Sequence, residues 1–364
     1  MSAHAVTRSS WVFPTLAAAF VAGSAALGIG YAPGALGLAY AAVVLVILFG
    51  TVFAAVHHAE VIAQKIGEPY GTLLLTLSVI IIEVAVIATI MLGDKLVPTL
   101  ARDTVFAVVM IVCNGLVGLC ILAGGLRYSE QEFQVSGAKV YLSVLIVLAT
   151  ISLILPNYTL TTPGPLYSAM QLGFVSVVTI ILYGLFLYTQ TVLHRDYFLV
   201  DDDPGDSAHG AGGATSIWIS VGLLGVSLIA VVLLAKSFSV VVDAGAAAIG
   251  APPAFAGIVV ALLVLLPESI AAIAAARKND LQKSINLALG SSLATIGLTI
   301  PAVAVAAWAL DKTLLLGLES REVALLVMTL VLSMLTFATG RTNILFGMVH
   351  LVVFAVFLLL VFVP

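Results

Sequence analysis

Apolar residues along this chain neither alternate nor mark a single helical face; they run on. Blocks of about twenty, separated by short polar or turn-forming stretches, recur eleven times, and each is long enough to cross about 30 Å of hydrocarbon as a helix. They lie near residues 12–30, 35–56, 70–92, 104–125, 137–156, 165–190, 215–236, 252–276, 284–308, 320–340 and 343–363. The second and seventh are expected to continue beyond the bilayer, through HHAEVIAQKIG and SFSVVVDAGAAAIG. The pattern predicts an all-α polytopic membrane protein of about eleven transmembrane helices.

Composition agrees. The 364 residues are 62% hydrophobic and 9% charged, with a mean hydropathy of +1.22. A soluble domain of this size cannot hide so much apolar surface, so the lipid bilayer is its expected partner. The net charge of −4 comes with no basic cluster, which excludes a nucleic-acid role. The opening MSAHAVTRSSWVFPTLAAAF has one arginine before an apolar run, as a leader would. That run continues and ten more follow, so it is expected to be a retained first helix. Cys113 and Cys120 stand about 10 Å apart along one predicted helix, too far to bridge, and read as packing residues.

Charge placement sets an expected orientation. With eleven spans, Arg8, Lys65, Arg127, Lys139, Arg195, Arg277, Lys278, Lys283 and Arg341 fall on the N-terminal side. Lys95, Arg102, Lys236, Lys312 and Arg321 fall on the other. The excess favours a cytoplasmic N-terminus and an external C-terminus. The longest polar break, HRDYFLVDDDPGDSAHGAGGATS, divides the chain near its middle and reads as a solvated linker. Asp201, Asp202 and Asp203 within it form an acidic patch that would attract or sense cations, although they lack the spacing of a calcium loop.

The two halves carry one pattern. AEVIAQKIGEPYGTLLLTLSVIIIEVAVIA and AGAAAIGAPPAFAGIVVALLVLLPESIAAIA each reach an Ile-Gly-x-Pro turn, then an apolar helix with one embedded glutamate. Glu83 matches Glu268, and CNGLVGL (113–119) lies downstream where GSSLATIGL (290–298) lies in the second half. Three matches in one order argue for duplication. The copies begin five spans apart, and an odd offset inverts the second in the membrane. The expected layout is an extra helix over 1–34, a five-helix repeat over 35–190, a linker over 191–214 and a second repeat over 215–364. Inverted repeats of this kind are a signature of secondary transporters, with sites near the bilayer midplane.

A carboxyl group at the centre of a membrane helix costs about 2.5–3.5 kcal/mol on insertion scales. Two in equivalent places are expected to turn inward to one cation. Thr76 shares a helix face with Glu83, as does Thr72; Gly257, Ala261, Ala272 and Ala275 share one with Glu268 and permit close helix approach. Asn114, Ser291, Ser292 and Thr295 would supply neutral oxygens, as would carbonyls freed around Gly115 and Gly290; for the hydroxyls, ordinary helix packing is an equal alternative. Such oxygens suit a hard metal, Ca²⁺ or Na⁺, with Glu83 and Glu268 as its anionic ligands. With no metal bound, burial and the like charge favour a proton on at least one carboxyl. Competition of proton and metal for one site, exposed alternately to each side, gives antiport. His57 and His58 near the end of the second span are candidates for a pH gate or for plain interfacial residues.

At GEPYGTLLLTLSVIIIEV and PESIAAIAAARKNDLQKSINLALGSSLATIGLTIP the sequence resembles the calcium/cation antiporter superfamily, in particular its bacterial ChaA-type branch. The resemblance implies a bacterial cytoplasmic (inner) membrane and one extra helix followed by two inverted five-helix repeats. It also implies an essential glutamate in each repeat, a role that falls on Glu83 and Glu268. Many calcium/proton exchangers carry Gly-Asn four and three residues before the glutamate; here Val79-Ile80 and Val264-Leu265 stand there. The implied activity is Ca²⁺/H⁺ exchange, with Na⁺/H⁺ and K⁺/H⁺ exchange as alternatives. The transported ions and protons are the only ligands expected, with no cofactor. A cation channel is the competing reading. An intramembrane enzyme is not expected, because the spans hold no HExxH, no GxSxG and no aspartate pair.

Overall fold

The computed structural model describes residues 8–32, 34–92, 98–198 and 217–363. The acidic patch at Asp201, Asp202 and Asp203 lies outside them. In chain order the elements begin with α1 (Arg8–Leu27), α2 (Ala35–Ile66) and α3 (Tyr70–Met91). Next come α4 (Leu100–Met110), a π-helical turn (Ile111–Leu116) and α5 (Val117–Tyr128), one continuous rod. β1 (Glu130–Glu132), α6 (Val135–Ala149) and α7 (Ala169–Tyr188) close the first half. The second half holds α8 (Ile217–Ile249) and α9 (Ala254–Ala276), then α10 (Leu281–Ala294), a π turn (Thr295–Thr299) and α11 (Ile300–Ala309). It ends with α12 (Ser320–Thr336), β2 (Arg341–Asn343) and α13 (Ile344–Phe362).

Among the described residues, ten helical stretches are long and apolar enough to cross a membrane. The eleventh expected span is α12, whose 17 residues stand at the short end of the range for a crossing, about 17–25. This is a multi-pass membrane protein. The two longest helices, α2 with 32 residues and α8 with 33, are the two the sequence marks for extension. Each ends at the repeated Ile-Gly-x-Pro turn, where Gly67 (φ 78°) and Gly250 (φ 64°) both adopt the left-handed conformation that a side chain disfavours.

The described helices group into two compact units. The first comprises α1, α2, α3 and α8: α2 packs along α8, and α1 and α3 pack on both. Inside it, His58 donates from Nε2 to the Ser10 carbonyl at 3.2 Å and so ties α2 to α1. The second unit holds the remaining helices.

Two belts of hydrogen bonds fix the direction of the helices in the second unit. At one end β1 pairs antiparallel with β2, Glu130 opposite Asn343. There Gln131 Nε2 donates to the Ala276 carbonyl at 3.0 Å, Gln134 N donates to Gln282 Oε1 at 2.7 Å, and Asn286 Nδ2 donates to the Phe198 carbonyl at 2.6 Å. The ends of α5 and α9 and the starts of α6, α10 and α13 therefore share this face. At the other end Leu315 N donates to Pro98 O, Gly317 N to Pro165 O and Leu318 N to Leu153 O. That face gathers the starts of α4, α7 and α12. The rod α4–α5 thus runs from the second face to the first, and its repeat counterpart α10–α11 runs back. These two rods show the inversion expected from the odd offset.

Candidate functional site

Glu83 lies in α3 and is fully buried. Its helix packs on α2 and α8 within the first unit. Thr76, two turns earlier, is half-buried. Thr72 turns to the start of the helix and donates to the Glu68 carboxylate at 2.6 and 2.7 Å. His58 is buried against α1 and His57 is half-buried, their rings edge to face at 5.6 Å.

Glu268 lies in α9, half-buried, directly after Pro267. A proline inside a helix has no N–H for the carbonyl four residues back, so the Leu263 carbonyl loses its helical donor next to the glutamate. The matching position in α3 is Ile82, which keeps its N–H. α9 packs against α4, α10 and the first π turn. Gly257 allows the closest of these approaches: a Cβ there would stand 2.8 Å from the Asp103 carbonyl carbon and the Thr104 nitrogen. The small face at Gly257, Ala261, Ala272 and Ala275 is buried throughout, as its composition predicts.

Both helix breaks downstream are π turns, which leave backbone carbonyls outside the regular ladder and recur at functional sites. Asn114 and Gly115 lie in the first, Thr295 and Gly297 in the second. Gly290 lies in regular α10, so the second break falls five residues beyond the expected place. Ser291 is half-buried; Ser292 is buried, and its hydroxyl has no hydrogen-bond partner among the described residues. Thr295 is buried within the π turn. The carboxamide of Asn114 is engaged at both ends: Nδ2 donates to Thr329 Oγ1 at 2.8 Å, and His350 Nδ1 lies 3.2 Å from Oδ1.

The model of the sodium/calcium exchanger protein family matches residues 36–192 and again 219–363, one match to each half. The chain belongs to this family. A relative from Sinorhizobium fredii named as an ionic transporter, y4hA, is 47% identical over 87% of each chain. The sodium-potassium/proton antiporter ChaA of Escherichia coli is 39% identical, again over 87% of each. Among solved structures the fold is shared with YfkE, at a TM-score of 0.72 and 17% identity over 98% of this chain and 100% of that one. It is shared too with the H⁺/Ca²⁺ exchanger CAX, at 0.67 and 14% over 96% and 87%. One extra helix followed by two inverted five-helix repeats is the architecture of this exchanger.

Three features of the exchanger escaped the sequence. Arg102 counts there as a loop charge, yet it is buried inside α4 and paired with buried Asp103 at 2.8 Å. Arg102 also donates to the Gly317 carbonyl at 3.0 Å, and Thr99 donates to Asp103 Oδ2 at 2.8 Å. Adjacent opposite charges opening an apolar run were the available signal. Pro267 beside Glu268 was equally visible. His350, a lone polar residue in ILFGMVHLVVF, was the trace of the Asn114 contacts.

Proposed function

We propose that the chain is a secondary active cation/proton antiporter in which Glu83 and Glu268 bind either protons or a hard cation. The observation that carries this reading is one carboxyl group per inverted repeat, each in the middle of a membrane helix and each followed by a π turn. An ionised carboxylate in hydrocarbon is costly unless a cation or a proton neutralises it, so the two occupants exclude one another. Alternating exposure of such carboxyl groups to the two sides of the membrane couples their opposite movements without further machinery.

Monovalent cations, Na⁺ and K⁺, are the favoured substrates, with Ca²⁺ as an additional one. Two features support this order. The 39% identical relative is named as a sodium-potassium/proton antiporter, whereas those named as Ca²⁺/H⁺ antiporters reach 26%. Val79, Ile80, Val264 and Leu265 also bring no side-chain oxygen beside the glutamates, and Ca²⁺ takes six to eight oxygen ligands. The excess of Lys and Arg on the N-terminal side supports a cytoplasmic N-terminus in the inner membrane.

Purified protein in vesicles with an inside-acid pH gradient tests the reading. Na⁺, K⁺ and Ca²⁺ are added in turn and the internal pH is followed with a dye. Proton efflux on adding Na⁺ or K⁺ is expected. Cation entry with no proton movement would identify a channel instead and overturn the proposal.

A further inference from the structure

A buried polar chain crosses the second unit and links the first π turn to α12 and α13, 215 and 236 residues later. Thr336 on α12, His350 on α13, Asn114 in the first π turn and Thr329 on α12 are all fully buried. Thr336 Oγ1 lies 2.9 Å from His350 Nε2. His350 Nδ1 lies 3.2 Å from Asn114 Oδ1, Asn114 Nδ2 donates to Thr329 Oγ1 at 2.8 Å, and Thr329 Oγ1 donates to the Leu325 carbonyl at 2.8 Å.

The direction of every bond follows from the last. The Thr329 hydroxyl has the Leu325 carbonyl at 2.8 Å and Met110 Sδ at 3.5 Å to donate to; with its hydrogen on Leu325, the shorter contact, Thr329 accepts from Asn114, which places the amide nitrogen toward Thr329. Asn114 then presents its oxygen to His350, and an oxygen without hydrogen cannot donate. His350 therefore carries its proton on Nδ1, and Nε2 accepts from Thr336; the Cys113 backbone carbonyl is a further acceptor beside the ring. The amide oxygen retains a second lone pair, whose direction is set by the His350 bond. The arrangement matches an outer shell that orients a ligand oxygen, as the supporting residues of a metal site do.

The geometry points to His350 as a positioning residue for ion exchange: its Nδ1–H holds the Asn114 carboxamide so that the π turn presents Oδ1 in one orientation. The Asn114 oxygen sets the tautomer, Thr336 donates to Nε2, and Thr329 anchors the other end of the amide. The effect on transport rests on the antiport reading; the orientation of the amide does not.

Two replacements of similar size separate the two nitrogens. His350→Asn places an amide donor near Nδ1 and keeps the bond to Asn114, whereas His350→Gln reaches the Nε2 position and keeps only the bond to Thr336. In vesicles, H350N is expected to keep the cation KM within about twofold, and H350Q to raise it about tenfold with a smaller change in kcat. Equal KM values for the two variants, or the reverse order, would overturn the proposal. A second readout does not need transport. In protein labelled with nitrogen-15 at histidine, the His350 signals, identified by their loss in H350N, are expected to show the neutral Nδ1-protonated ring. They should shift in Asn114→Leu. An Nε2-protonated ring, or one unmoved by N114L, contradicts the assignment. A wild type that exchanges no cation defeats the antiport reading alone, and the ring signals still decide the orientation.

Discussion

The π turns at Ile111–Leu116 and Thr295–Thr299, two of four among the described residues, occupy matching places in the inverted halves, yet they are built from different chemistry. In the first, Asn114 is buried in the bonded chain from Thr336 to Leu325, and the ring of Phe354 covers Gly115. In the second, the residue before the glycine is Ile296, buried and apolar, and Tyr183 covers Gly297. His350 stands four residues before Phe354. Four residues before Tyr183 stands Thr179, buried, with its hydroxyl donated to the Ser176 carbonyl of its own helix. Duplication kept the break in the helix and the aromatic over the glycine, while the residue before the glycine is an amide in one half and apolar in the other. The backbone supplies the shared feature, and the difference lies in which turn also carries a fixed amide.

Substitutions that exchange the character of the two turns test this contrast. The largest effect is expected from Asn114→Leu, which strands one Thr329 lone pair and leaves the buried His350 ring only the Cys113 carbonyl for its N–H. At about 1–3 kcal/mol for the buried group left unsatisfied and about 1 kcal/mol for the lost bond to the ring, N114L loses about 2–4 kcal/mol of stability, read from unfolding in detergent. The converse, Ile296→Asn, puts an amide in place of a buried apolar side chain and costs about 1–3 kcal/mol by the same measurement. Gly297→Ala follows, because its Cβ would meet Tyr183 Cβ at 2.9 Å, close to the backbone where little can move. About 1–2 kcal/mol is expected there. Gly115→Ala meets only the edge of the Phe354 ring at 3.3 Å and is expected to cost under about 1 kcal/mol. Equal costs for the two alanines would mean that the turns are packed alike and would blunt the comparison.

The sequence made the frame legible because a membrane helix writes itself as a run and a repeat writes itself as an offset. The Ile-Gly-x-Pro turns became two left-handed glycines, and the long second and seventh spans became α2 and α8. What it hid were pairings across long separations. Asn114 meets Thr329 and His350 at 215 and 236 residues away, and nothing local in any of the three announces the others. In an apolar helix every face is greasy, so no hydrophobic period shows which way a lone histidine points. Arg102 and Asp103 misled for a related reason: charges at the edge of an apolar run mark the end of a span by default. Here mutual pairing and the Gly317 carbonyl carry them inside it.

The claim on which the account stands is that one acid in each half takes turns with protons and a cation. It is tested most directly by measuring Na⁺- and K⁺-driven proton efflux from vesicles containing wild type, Glu83→Gln or Glu268→Gln, each inserted to the same level. Gln keeps the size and a hydrogen bond but cannot ionise, so either single replacement is predicted to reduce exchange to the rate of empty vesicles. Wild-type exchange in either variant would contradict the account.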